Sequence, residues 1–277
     1  MPVNDELGTR MKEFYEQVPK TRLIKRMPVV CRIDGRSFHS WVKGFDKPFD
    51  AVLIKTMQET MKYLCENIQG CVFGYTQSDE ITLILQDYKT FNTSAWFDYE
   101  VQKMTSISAS MCTMFFNKQF AKNVEQEIWD YKHSLVPQSV ELQQKQQNIF
   151  DAYQKAIDKG ATFDSRVFNI PKEEIVNLVY WRALDATRNS IQMMGQHYFT
   201  HKELQHKTCN NIQEMLFQKY HINWNDLPIY KKRGTACIKV PTENNRTTWK
   251  IDLEMPELVG EGRKYLQQIL DDIQEEK

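Results

Sequence analysis

Two short stretches hold residues whose types and spacing could do metal-assisted chemistry. The first is Val29-Val30-Cys31-Arg32-Ile33-Asp34-Gly35-Arg36-Ser37-Phe38-His39. A β-branched run ends there in a carboxylate and a glycine, so a buried strand would present an acid at its mouth and then turn. The second is Gly74-Tyr75-Thr76-Gln77-Ser78-Asp79-Glu80, followed by Ile81-Thr82-Leu83-Ile84-Leu85. That is a strand pattern with two adjacent carboxylates at its start. If the two strands lie side by side, Asp34 and Asp79 share divalent cations and Glu80 points to the other face of its strand. Two metals about 3.5–4 Å apart clamp the attacking and leaving oxygens of a phosphoryl transfer. Mg²⁺ needs only one or two protein carboxylates when substrate phosphates complete its shell. Taken singly, each stretch also reads as an ordinary Asp-Gly turn or acidic strand end.

The surrounding pattern shows what must position these acids. Asp50, closing Lys47-Pro48-Phe49-Asp50, suits a helix N-cap, and Val52, Leu53, Met57, Met61 and Leu64 then recur at helical spacing. Trp96 to Phe120 predicts one long helix. Residues 119–160 are rich in Gln, Lys and Glu and are broken at Val136-Pro137. They predict two polar helices or a helical hairpin projecting from the core as a solvated appendage. Phe163 to Ile170 alternates like a strand, and a helix runs from Lys172 to about His197. The remainder reads as helical up to Tyr220, with a strand over Ala236–Val240 and a final helix after Glu257. The core order β-α-β-β-α-β resembles a ferredoxin-like polymerase palm. The expected class is α+β: an antiparallel sheet with helices on one face, plus a mostly helical C-terminal region. Fold alone does not license the chemistry.

Composition bounds the rest. The 277 residues carry 36 Lys and Arg against 36 Asp and Glu, a formal net charge of zero. A nucleic-acid binder is usually basic, so contact with RNA requires the basic residues to cluster on one face. Lys20, Arg22, Lys25 and Arg26 form one small cluster, and Lys231-Lys232-Arg233 forms the most compact one. No apolar run approaches the ~18 residues that span a bilayer, and Met1 to Glu6 lacks the pattern of a signal peptide. The six cysteines form no CxxC pair, which argues against zinc and a disulfide framework. A reducing, cytoplasmic setting fits, as does a mitochondrial one. His201, His206 and His221 lack the spacing of a zinc helix and read as ordinary surface or hydrogen-bonding residues.

Several ordered motifs together are more specific than any one. Arg32 to His39 matches R-I-D-G-R-x-F-H, Lys47-Pro48-Phe49-Asp50 matches K/R-P-x-D, and Gln77 to Glu80 matches Q-S-D-E. Gln102 to Ser106, Phe163 to Phe168, Tyr180-Trp181-Arg182, Asn223 to Pro228 and Lys232 to Thr235 continue the series. The chain thereby resembles the tRNA-His guanylyltransferase superfamily, whose members add nucleotides to RNA 5′ ends. The resemblance covers most of the chain apart from roughly 119–160 and the tail. It leans toward the guanylyltransferase-like branch. Arg188 stands where the true guanylyltransferases place the His of a His-Ile-Asn-Asn block, and Phe49 stands where they have Asn.

The resemblance implies a template-dependent 3′–5′ nucleotidyltransferase that repairs truncated tRNA 5′ ends after ATP-dependent activation. It implies two Mg²⁺ per site, bridged by Asp34 and Asp79 with the Gly35 carbonyl, and Glu80 as a supporting carboxylate. It implies ATP, GTP and other NTPs as substrates, held by Gly35, Arg36, Ser37, Phe38, His39, Lys47, Ser78, Lys103 and Ser106. It places tRNA against Arg182, Arg188, Asn189, Lys207, Lys232 and Arg233, and it implies a homotetramer. On this reading, residues 1–118 and 161–200 form the catalytic core, 119–160 an insertion, and 201–277 an RNA-contacting region. The alternative within the family is a tRNA-His guanylyltransferase that adds a single G. Rivals of other kinds are a nucleotide cyclase and a non-catalytic RNA-binding protein.

Overall fold

β1 (Val29–Gly35) is the strand around which the sheet is built. Val29, Val30 and Cys31 are fully buried, so the strand meets no solvent on either face. A continuous β-branched run suits that position. The computed structural model describes residues 6–134, 139–243 and 246–271; the expected break at Val136-Pro137 lies outside them. In chain order, α1 (Glu6–Met11) precedes β1, and α2 (Phe38–Trp41), α3 (Ala51–Asn67), β2 (Cys71–Gln77) and β3 (Glu80–Leu85) follow it. Next come α4 (Val101–His133), α5 (Val140–Lys159), β4 (Phe163–Asn169) and α6 (Ile175–Tyr198). The chain continues through α7 (His201–Leu204), α8 (Cys209–Tyr220), α9 (Ile229–Arg233), β5 (Thr235–Pro241), β6 (Thr247–Asp252) and α10 (Arg263–Asp271).

The strands form one antiparallel sheet in the order β4-β1-β3-β2-β5-β6. Its first four strands carry the ferredoxin-like arrangement expected from the element order. β5 and β6 extend the sheet beyond β2, so the C-terminal region supplies strands as well as helices. Ile81, Leu83 and Leu85 face α3 and α4, together with Val29, Cys31 and Ile33. Val30 and Ile84 point the other way, into a second core with Ile175, Val176 and Val179 of α6 and Leu266 and Leu270 of α10. The helices therefore cover both faces rather than the one expected. Strands that are apolar on both sides need cover on both.

Two helix boundaries differ from expectation. α4 begins at Val101 rather than Trp96, because Phe97, Asp98 and Tyr99 all adopt left-handed φ, between 49° and 56°. It runs on to His133, well beyond Phe120. α5 lies back along α4 as a helical hairpin, but its inner half is not a solvated appendage. Ile149, Phe150, Tyr153 and Ala156 recur at helical spacing and are buried. They close over an aromatic cluster in which Trp41 lies 4.9 Å from Phe120 and Phe45 lies 4.8 Å from Tyr153. Periodicity at 149, 150, 153 and 156 is the signal that overrides the segment's polar composition.

α5 also fixes the start of α3. Asp50 is the N-cap and accepts from Leu53 N–H at 2.8 Å and Asp46 N–H at 3.0 Å, while Tyr153 Oη donates to it at 2.7 Å. Asp50→Ala removes the cap and leaves the buried Tyr153 hydroxyl without an acceptor. The expected cost is about 3 kcal/mol, against about 1 kcal/mol for Tyr153→Phe, read as a shift in the urea midpoint. Equal costs for the two variants would show that the cap contributes nothing.

Candidate active site

The register of β1 sets the electrostatics. Asp34 pairs across with Glu80 on β3 and with Asp164 on β4. Directly opposed residues in antiparallel strands have Cβ atoms about 4.5–5.5 Å apart, so three carboxylates share one rung. Two of them are compensated. Arg182 on α6 donates Nε to Glu80 Oε1 at 2.7 Å, and Arg32 Nε lies 3.9 Å from Glu80 Oε2. Glu80 and Arg182 are both buried, at 6% and 7% exposure. Burial pushes the Glu80 carboxyl up from its ordinary range, and Arg182 opposes that. Asp164 pairs with Arg166 at 3.6 Å.

Asp34 and Asp79 carry no ion pair among the described residues. Ser78-Asp79 is the two-residue turn of the β2–β3 hairpin, with Ser78 at φ 51° in the left-handed region that disfavours a serine. Gly35 N–H donates to the Asp79 carbonyl oxygen at 3.1 Å, which ties the turn to the end of β1. The Asp79 carboxylate accepts from Ser78 Oγ at 3.0 Å. Burial raises the Asp79 carboxyl above the ordinary range, and the nearby charges of Asp34 and Glu80 push it further.

A cavity of about 550 Å³ opens beside this turn, within the size range of small-molecule sites. Gly35, Ser37, Phe38, His39, Lys47, Ser78 and Asp79 are on its wall, with Met193, Gln196 and His197 of α6 opposite. Asp46 and Asp50 complete the rim from the segment before α3. Asp34 and Arg36 stand beside the cavity rather than on its wall.

A profile of the tRNA-His guanylyltransferase family matches residues 8–171. A solved bacterial tRNA(His) guanylyltransferase-like protein in complex with ATP superposes with a TM-score of 0.77 at 36% identity, covering 96% of this chain and 99% of that one. The chain belongs to the tRNA-His guanylyltransferase family. A second bacterial structure of this kind, in complex with GTP, gives a TM-score of 0.74 at 35% identity, covering 96% of this chain and 100% of that one. Among named relatives, a probable tRNA(His) guanylyltransferase of Dictyostelium discoideum is 25% identical over 82% of this chain and 81% of its own length. An uncharacterised protein of Acanthamoeba polyphaga mimivirus is 26% identical over 87% of this chain and 80% of its own length. Membership makes this protein a nucleotidyltransferase.

The tRNA-His guanylyltransferase motifs converge only in part. The segment from Gly35 to His39, Lys47 and the Ser78-Asp79 turn meet at the cavity, although the Phe38 ring is also part of the core, 5.1 Å from Phe163. Lys103 and Ser106 do not join them. Lys103 is half-exposed at the start of α4, 3.8 Å from Glu100, and Ser106 Oγ donates to the Gln102 carbonyl at 2.7 Å. α4 meets the Asp34 end of β1 only near Thr113, whose hydroxyl accepts from Phe163 N–H at 3.3 Å. The first turns of α4 lie toward the other end of the strand.

The residues expected to touch RNA are mostly spoken for. Arg182 is buried against Glu80 and also donates to Asp185 at 3.0 Å. Arg188 pairs with Asp185, and Asn189 donates to it at 3.4 Å. Lys232 is 8% exposed, and its ammonium donates to the Asn225 carbonyl at 2.5 Å. Arg233 pairs with Glu257 at 3.5 Å. Lys207 is exposed on the wall of a neighbouring cleft of about 390 Å³ between α6 and α8, which shares Gln196 with the main cavity. Lys231, rather than Lys232, faces a small cavity behind Asp50 and Ser78. Sequence reading missed the α6 residues of the main cavity, because a helix end that reaches a distant strand turn leaves no local pattern.

Two outcomes follow. Arg182→Met strands a buried Glu80 charge, with an expected cost of about 3–5 kcal/mol. The double variant Glu80→Gln with Arg182→Met should recover more than half of that in urea unfolding; no recovery would mean the two groups are not coupled. Asp79 has a folded pKa above its unfolded value of about 3.9, so its ionisation destabilises the fold as pH rises through the folded value. In metal-free buffer, Asp79→Asn should therefore melt higher than wild type at pH 7–8, by on the order of 2 °C, and equal it near pH 4. A lower Tm at neutral pH would refute the electrostatic account.

Proposed function

We propose that this protein is a template-dependent 3′–5′ nucleotidyltransferase that restores truncated tRNA 5′ ends. The observation that carries the reading is the nucleotide-sized cavity whose wall bears Asp79 and Gly35 next to Asp34, with neither carboxylate in an ion pair among the described residues. The likeness to structures holding ATP and GTP supports nucleotides as substrates. tRNA as the acceptor rests on the family and on the relatives' names.

The donor set fits Mg²⁺. The oxygens are hard, and a carboxyl raised by burial and like charge is one a cation would favour in its ionised form. Among the described residues no group of three or more His, Cys, Asp or Glu side chains could hold a metal ion. Mg²⁺ bound with substrate phosphates needs only one or two carboxylates. Asp34, Asp79 and the Gly35 carbonyl would hold the ions. When bound, they would acidify an attacking hydroxyl and neutralise a leaving group. The chain's own contribution is placement: Lys47 and the Ser37 and Ser78 hydroxyls line the wall where a triphosphate would lie. Glu80, locked to Arg182, holds the rung in register and acts on the site through position.

The reaction proceeds in two transfers. The RNA 5′-monophosphate attacks the α-phosphate of ATP and releases pyrophosphate. The 3′-hydroxyl of the incoming NTP then attacks the activated 5′-phosphate and expels AMP. A 5′-triphosphate end skips the first step and loses pyrophosphate in the second. Arg188 in place of the family's His favours repair over selective addition of one G to tRNA-His. A homotetramer would suit the N-terminal segment, where Leu7, Phe14, Tyr15 and Val18 are exposed. Among the described residues no helix is long and apolar enough to cross a membrane.

The test is incubation with Mg²⁺, ATP, all four NTPs and a 5′-monophosphorylated tRNA lacking its first nucleotide, beside full-length tRNA-His. Extension of the truncated tRNA that stops at a complete acceptor stem is the expected result. Asp34→Ala and Asp79→Ala should each lower it by about 10³-fold or more. A single G added to tRNA-His, with no repair, would replace this reading by the family's other activity. No extension of either RNA would remove it.

A further inference from the structure

The proposed function needs a surface for RNA phosphates, and the fold engages four of the five basic residues the sequence nominates, leaving Lys207 exposed. Arg182, Arg188, Lys232 and Arg233 are paired internally or buried. With zero net charge overall, a phosphate surface must come from a local excess of cations that no carboxylate cancels.

One cleft has that excess. It measures about 480 Å³ and lies between the segment after α2 and the face of α5. Lys43 stands on one wall, and Lys155 and Lys159, one helical turn apart, stand on the other. All three are exposed, and none carries an ion pair among the described residues. Among the described residues no carboxylate is on its wall, where the remaining groups are neutral, including the Ser40 hydroxyl and the Asn148 amide; Asp151, one turn before Lys155 on α5, is exposed and forms no ion pair with it. Neighbouring lysines repel one another, so an arrangement of three free ammonium groups around a concavity is eased by an anion. The two walls meet closely: a Cβ added at Gly44, which has φ 94°, would lie 2.9 Å from Ala152 Cβ. Trp41 donates its indole N–H to the Ala156 carbonyl at 3.2 Å. The lysines are therefore mounted on a packed scaffold, not on a loop.

The cleft is next to the nucleotide cavity. Val42, Phe45 and Asp46 face the cavity, while Trp41, Lys43 and Gly44 of the same segment face the cleft. A strand whose 5′ end enters the cavity would pass over this one segment to reach it. We propose that the cleft of Lys43, Lys155 and Lys159 is a phosphate-binding subsite that holds the sugar-phosphate backbone of the RNA substrate near its reacting end. This rests on the proposed reaction at RNA 5′ ends. It gives the α4–α5 hairpin a role in substrate binding. The contacts are to phosphates and so carry no sequence preference.

The test is Lys43→Ala/Lys155→Ala/Lys159→Ala in the full chain, with direct binding of the 5′-truncated tRNA measured across a salt series without catalysis. A control carries Lys62→Ala/Lys250→Ala/Lys264→Ala, which removes the same charge elsewhere. The expected result is affinity about tenfold weaker or more for the cleft variant, a salt slope shallower by about two to three, and an unchanged KM for NTP. Equal loss in the control would overturn the proposal as a general charge effect. A raised NTP KM with tRNA binding intact would overturn it in favour of a free-triphosphate site. Wild-type binding matched by the cleft variant would overturn it alone, leaving the repair reading standing. If wild type binds no tRNA, the repair reading falls as well.

Discussion

The antiparallel register between β1 and β3 is the constraint from which the site follows. Asp34 faces Glu80 across β1 and β3, and Gln77 faces Glu80 across β2 and β3, so Ser78 and Asp79 form the turn at the end of β1. A slip of one residue would turn every side chain of β3 to the opposite face. The buried Glu80–Arg182 pair resists such a slip, since a displaced Glu80 would leave an uncompensated charge in the core. The pair thus ties α6 to the strand that carries the acid, and α6 in turn supplies one wall of the cavity.

Charge is distributed by the same logic. The molecule is neutral in total but not evenly so. Glu80, Asp164 and Asp185 each have an arginine, while Asp34 and Asp79 have none among the described residues. Buried or closely spaced carboxylates without counter-charge are costly, and burial with like charge raises the Asp79 carboxyl. On the basic side, Arg182, Arg188 and Arg233 pair internally, while Lys43, Lys155 and Lys159 stay exposed. Arginine's planar fork suits the first use, and lysine's flexible, strongly hydrated ammonium suits the second.

α5 links these two features. Tyr153 holds Asp50, Lys145 pairs with Asp46 at 3.4 Å, and Trp41 caps a carbonyl of the helix. The segment between α2 and α3 is held between the main cavity and α5. The hairpin therefore belongs to the scaffold of the site, although its composition reads as a polar appendage.

The sequence by itself determined the elements of the core and their order, though not β6. The β-branched run ending in Asp34, the alternation after Glu80, the cap at Asp50 and the helical spacing after it are local patterns, and local sterics and hydrogen bonding decide them. The motif series also located the segments that meet at the cavity. What the sequence could not decide is which charges find each other. Arg182 is placed against RNA by the family resemblance and Lys232 by that and its compact basic turn; in the fold they meet Glu80 and the Asn225 carbonyl and are buried. Lys103 and Ser106 sit one turn apart as the spacing requires, yet the length of α4 places them away from the Asp34 end of β1. His197 and Gln196 reach the site, and Lys43, Lys155 and Lys159 gather at one cleft, only through packing of segments far apart in the chain. Periodicity encodes which face of an element is apolar; the partner of a charged group depends on three-dimensional proximity, and that is set by the tertiary structure.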